Sequence, residues 1–97
     1  MHFRKAGNLL TEIVYKIAGF KYYDFLTLLL HWNDVVGPLL ATHSRVLKIE
    51  KKSAFIIVDN NVWMQELMLN KKMLIDRSNS FLQNKIDNMV FYLRDKL

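Results

Sequence analysis

The sequence predicts an α+β fold in the order α-α-β-β-α-β, with a three-stranded sheet covered by helices, and three observations carry that expectation. Apolar residues recur at the 3.6-residue spacing of a helix from Phe3 to Leu40. The spacing drops to two near Arg45. It returns to 3.6 behind Asp59-Asn60-Asn61, before a last alternating stretch at Met89–Arg94. A chain of 97 residues has room for one core that hides about two-thirds of the unfolded surface, so residues 1–97 are expected to form a single domain. With 52% hydrophobic and 24% charged residues mixed along its length, the chain is not a disordered segment.

The first helix is expected over residues 3–18. Phe3, Ala6, Leu10, Ile13, Val14 and Ile17 make one face, Arg4, Lys5, Asn8, Glu12 and Lys16 the other, and Gly19 supplies the stop. The second helix begins near Tyr22, with Phe25, Leu28, Leu29, Trp32, Val35 and Val36 on a shared face. Leu39 and Leu40 continue that arc, so one long helix, kinked or briefly broken at Gly37-Pro38, is expected. From Arg45, Leu47 and Ile49 alternate with Val46, Lys48 and Glu50 in a half-exposed strand. Lys51-Lys52-Ser53 is long enough only for a tight turn, although it lacks the glycine such turns favour. Ala54–Val58, β-branched and aromatic, reads as a buried strand. The capping cluster then starts a third helix reaching about Asn84, its broad arc holding Trp63, Met64, Leu67, Met68, Leu74, Ile75, Phe81 and Leu82. Lys71 interrupts that arc, its methylenes expected along apolar surface, whereas Lys72 falls on the polar side. In the last strand Met89, Phe91 and Leu93 oppose Val90, Tyr92 and Arg94.

Several function classes find no support. There is no cysteine, which excludes disulfides and thiolate metal sites and is compatible with a cytosolic chain. Phe25–Ala41 is interrupted by His31, Asn33 and Asp34, short of the about 20 apolar residues that span a bilayer. Glu12 and Lys16 break any signal-peptide core, so a soluble, cytoplasmic domain is expected. His2, His31 and His43 lack metal-ligand spacing, and His43-Ser44 with Asp34 lacks a nucleophile elbow or an oriented triad. Gly7, Gly19 and Gly37 are too scattered for a phosphate loop. No metal, no cofactor and no catalysis are expected. Trp32 and Trp63, on apolar helical faces, read as core anchors.

The stretch Trp32-Asn33-Asp34-Val35-Val36-Gly37, followed by Ala41-Thr42-His43-Ser44, resembles the W-x-x-V/I-V-G … A-x-H-S/T signature of the DciA family. Asn61-Val62-Trp63-Met64-Gln65-Glu66-Leu67 is similar to that family's W-x-x-E-L helix start. Lys71, Leu74, Ile75, Arg77 and Asn79 follow its K-x-x-L-L-x-R-x-N pattern. The resemblance covers about residues 25–94. It implies a small KH-like domain that binds DNA and helps place a DnaB-type replicative helicase in bacterial chromosome replication. Two departures stand out. The sequence ends at Leu97, where many members carry a flexible tail implicated in helicase contact, and it has no G-x-x-G loop, by which KH domains clamp nucleotides.

Fourteen Lys and Arg against nine Asp and Glu leave a net charge of +5, which favours an anionic partner. On the first reading the protein is a DNA-binding module for single or double strands, with the replicative helicase as partner. Arg45, Lys48, Lys51 and Lys52 on the hairpin, with Lys71, Lys72 and Arg77 on the following helix, then converge into one basic stripe. On the second it is a protein-interaction domain without nucleic acid, presenting Leu69 and Met73, which lie off the third helix's core arc.

Overall fold

The structure, a computed structural model, describes Lys16, residues 22–95 and Leu97. Along the chain run α1 (Tyr23–Val36), α2 (Pro38–Thr42), β1 (Ser44–Glu50), β2 (Ser53–Val58), α3 (Asn61–Leu69), α4 (Lys71–Asn79) and β3 (Asn88–Leu93). The α+β class and the three-stranded sheet are as expected. The helix expected over residues 3–18, with its Gly19 stop, lies outside the described residues apart from Lys16, which is helical and exposed.

Helix α1 buries Leu28, Trp32, Val35 and Val36, three to four residues apart, while Leu29 turns away from the core and is exposed. It stops at Gly37, whose φ of +90° is a conformation L side chains rarely adopt. An added Cβ there would meet nothing within 4 Å, so backbone conformation rather than space demands glycine. Pro38 then takes the first position of α2, where its missing N–H leaves no gap in the helix. The break at Gly37-Pro38 is therefore complete.

Strands β1 and β2 form an antiparallel hairpin, but its register slips: Val46 faces Ile56 and Lys48 faces Phe55, leaving Leu47 as a bulge. The strict alternation expected from the sequence placed Leu47 inside and Val46 outside. The bulge reverses this, so that Val46 is buried and Leu47 exposed. Strand β3 pairs with β2 in parallel, giving the order β1-β2-β3. A parallel pair needs a crossover, and α3 with α4 provides it.

That crossover was expected as one helix to about Asn84. It is two helices broken at Asn70, which ends α3 and starts α4 with φ −105° and ψ 16°. The Asn70 amide donates to the Glu66 carbonyl at 2.9 Å, the competition with helical hydrogen bonding that weakens asparagine inside helices. Asn79 is the last residue of α4. Its side chain accepts from the Ile86 N–H at 2.8 Å and donates to the Ile86 carbonyl at 2.9 Å, drawing residues 80–87 into a loop. Asp24 holds the same loop from α1, accepting from the N–H groups of Gln83 and Asn84, both at 2.9 Å. Leu82 and Ile86 thus enter the core from a loop, and the shifted phase leaves Met68 exposed. No helix among the described residues is long and apolar enough to cross a membrane.

Candidate nucleic-acid interface

Strand side chains alternate between faces, and here the alternation separates two chemistries. The inward face gives Val46, Ile49, Ala54, Ile56, Val58, Met89 and Phe91 to the core shared with the helices. On the outward face Arg45 lies opposite Ile57 and Lys48 opposite Phe55, with Val90 and Tyr92 beside Phe55 and Ile57 across β2. Ile57 is 6% exposed yet stands apart from the core cluster. The Phe55 and Tyr92 rings are nearly parallel, 12° between planes and 6.1 Å between centroids. The Lys48 ammonium sits 4.9 Å from the Phe55 centroid. It also lies 3.1 Å from the Glu50 carboxylate, but both side chains are more than half exposed, so water screens that pair. Sequence reading singles out neither aromatic ring. Alternation puts Tyr92 opposite the Met89-Phe91-Leu93 row, but only the parallel register brings it beside Phe55.

Lys51 and Lys52 form the two-residue loop of the hairpin, and both have positive φ, 51° and 66°. Two left-handed residues in succession give the mirror-image turn whose twist suits a hairpin, a geometry that Asn-Gly adopts most readily. Any other L residue costs on the order of 1–2 kcal/mol at each position. The Lys52 carbonyl accepts from the Asp87 N–H at 2.9 Å, which pins the turn to the segment entering β3. Both lysine side chains are exposed.

Lys71 and Lys72 open α4. Lys71 is half-buried in a hollow with Met68, Asn88, Met89, Val90 and Phe91, its stem along apolar surface as expected. Asn88 pairs with Ser53, next to Lys52, so the hollow adjoins the hairpin end of β3. Lys72 is exposed. Arg77 donates from Nη1 to the Val35 carbonyl at 3.1 Å, tying α4 to the carboxyl end of α1, where helix carbonyls lack internal partners. The basic residues thus fall into groups. Arg45, Lys48, Lys51 and Lys52 share the outward sheet face and its hairpin, Lys71 and Lys72 sit at the α3–α4 junction, and Arg77 is engaged by a helix end. Leu69, 83% exposed, and Met73, 41% exposed, flank Asn70 at that junction.

The motif residues knit elements together instead of joining this face. The buried Trp32 indole donates to Ser44 Oγ at 2.9 Å, and the Ser44 hydroxyl donates to the Leu40 carbonyl at 2.6 Å. His43 stacks on Trp63 with 4.8 Å between centroids. Its Nδ1 meets both Asp59 carboxylate oxygens, at 3.1 and 3.2 Å, and therefore carries the proton. Asn60 accepts from the Val62 N–H at 2.7 Å and caps α3. Among the described residues no group of His, Asp and Glu has the arrangement to hold a metal ion.

The family model described as "Dna[CI] antecedent, DciA" matches residues 5–91 of the 97-residue chain. No curated protein matches the sequence.

Proposed function

Because the chain belongs to the DciA family, which is associated with loading of the DnaB-type replicative helicase, we propose that it is a DNA-binding module that assists that helicase in bacterial replication. The proposed contacts are Arg45, Lys48, Lys51 and Lys52, with Lys71 and Lys72 reaching the strand from the adjoining junction. Arg77 contributes field more than contact, since its guanidinium is already engaged. One observation carries the reading. Two lysines occupy a left-handed turn that Asn-Gly fills at lower backbone cost, and local rules are broken in this way where a side chain serves function. The fold is read as KH-like without its glycine loop, and Asn70 alone joins the two crossover helices, with Leu69 ending the first and Lys71-Lys72 opening the second.

A second reading, protein interaction without nucleic acid, draws on the exposure of Leu69 and Met73, which we assign to the helicase side. The two separate by mutation. Lys51→Glu with Lys52→Glu abolishes binding of a labelled oligonucleotide, followed by fluorescence anisotropy at low salt, and leaves helicase capture intact. Leu69→Ser with Met73→Ser does the reverse. If the parent protein binds no oligonucleotide at low salt, the DNA reading fails.

A further inference from the structure

The outward face of the sheet holds more than charge. Phe55 and Tyr92 present nearly parallel rings there. Tyr92 is 45% exposed, although a tyrosine on a folded sheet could have been covered. The core cluster takes neither residue. Cations frame the pair: Arg45 and Lys48 along β1, and the exposed Arg94, whose N–H continues the ladder to the Val58 carbonyl at 2.8 Å. By strand alternation Arg94 follows Tyr92 on the same face. Flat aromatic rings flanked by exposed positive charges complement a strand whose bases are unstacked and whose phosphates run alongside. They do not complement a duplex, whose base faces are hidden.

We propose that this face is a stacking platform selective for single-stranded nucleic acid, with bases on Phe55 and Tyr92 and phosphates on Arg45, Lys48 and Arg94. The proposal rests on the DNA-binding reading above and deepens it, because the hairpin lysines alone would grip single and double strands alike. Aromatic stacking tolerates any base, so the platform discriminates strandedness and not sequence.

The test uses fluorescence anisotropy with three labelled probes of equal length: oligothymidine, a duplex, and an abasic strand that keeps the sugar–phosphate chain. Tyr92→Ala is the main variant, since its exposure makes it tolerable to the fold, and Phe55→Leu keeps apolar volume at the half-buried position. Each is expected to weaken oligothymidine binding about 5- to 150-fold, the range for losing one stacked base. Affinity for the abasic strand should not change, and Tyr92→Trp should restore oligothymidine binding. If the parent binds oligothymidine but both variants bind it equally well, or if parent affinity for the duplex matches that for the single strand, the platform is overturned while DNA binding stands. If the parent binds none of the probes, the underlying reading falls as well. Should Tyr92→Ala instead abolish self-association or helicase capture with oligothymidine binding unchanged, the face belongs to a protein contact and the platform is likewise overturned.

Discussion

Ser44 and Ser78 are both buried, and their hydroxyls have opposite energetic signs. Ser44 accepts from the Trp32 indole and donates to Leu40, so Ser44→Ala strands an indole N–H on a residue only 4% exposed. The expected cost is about 1–3 kcal/mol. Ser78 is fully buried on α4, and its hydroxyl finds no partner among the described residues. Ser78→Ala removes a desolvated polar group and should stabilise the protein by about 1 kcal/mol. Urea midpoints of the two variants, one below the parent and one above it, check both signs; a Ser44→Ala midpoint equal to the parent's would refute the first. At this scale apolar identity was readable and polar partnership was not. Trp32 announces itself as core by its helical phase. Nothing in the sequence tells that its N–H ends on a serine twelve residues away, or that His43 lies between Asp59 and Trp63.

The hairpin is the element whose energetics and function separate most cleanly. Replacing Lys51-Lys52 by Asn-Gly removes the left-handed penalty at the second position and part of it at the first, so that, net of glycine's extra unfolded-state entropy, stability should rise by about 1–2 kcal/mol. The same double change removes two cations and should lower oligonucleotide affinity. Denaturation and anisotropy on this one variant check the opposition: stability gained with no affinity lost would show that the lysines serve the turn alone. Elements marked by period were legible, α1 and β2 above all. Those marked by a single residue were not. The Leu47 bulge depends on how β2 pairs, since the β1 sequence also fits a plain alternation. Asn70 splits the crossover with a side-chain amide that turns back to Glu66, in a stretch whose apolar rhythm otherwise runs on.

For the molecule as a whole, the distribution of charge decides how binding responds to salt. Five phosphate contacts from Arg45, Lys48, Lys51, Lys52 and Arg94 give a log-affinity against log-salt slope of about −3.5 on single strands. If Lys71 and Lys72 join them, the slope steepens to about −5. We expect the steeper value, because the Lys71 hollow adjoins the hairpin end of β3, with Lys71→Glu and Lys72→Glu returning it to about −3.5. A slope indifferent to those two changes would confine the strand to the sheet and turn. This arrangement is not legible in the residues, since helical phase says which side of α4 a lysine occupies but not which strand lies next to it. The parallel pairing of β2 with β3 also has a kinetic side. A hairpin closes within microseconds, but the second neighbour of β2 arrives only after the whole crossover has been synthesised and folded. Until then Phe55-Ile56-Ile57-Val58 offers a nascent chain's greediest segment with one flank open, so the interval before β3 docks is when this protein is most exposed to aggregation.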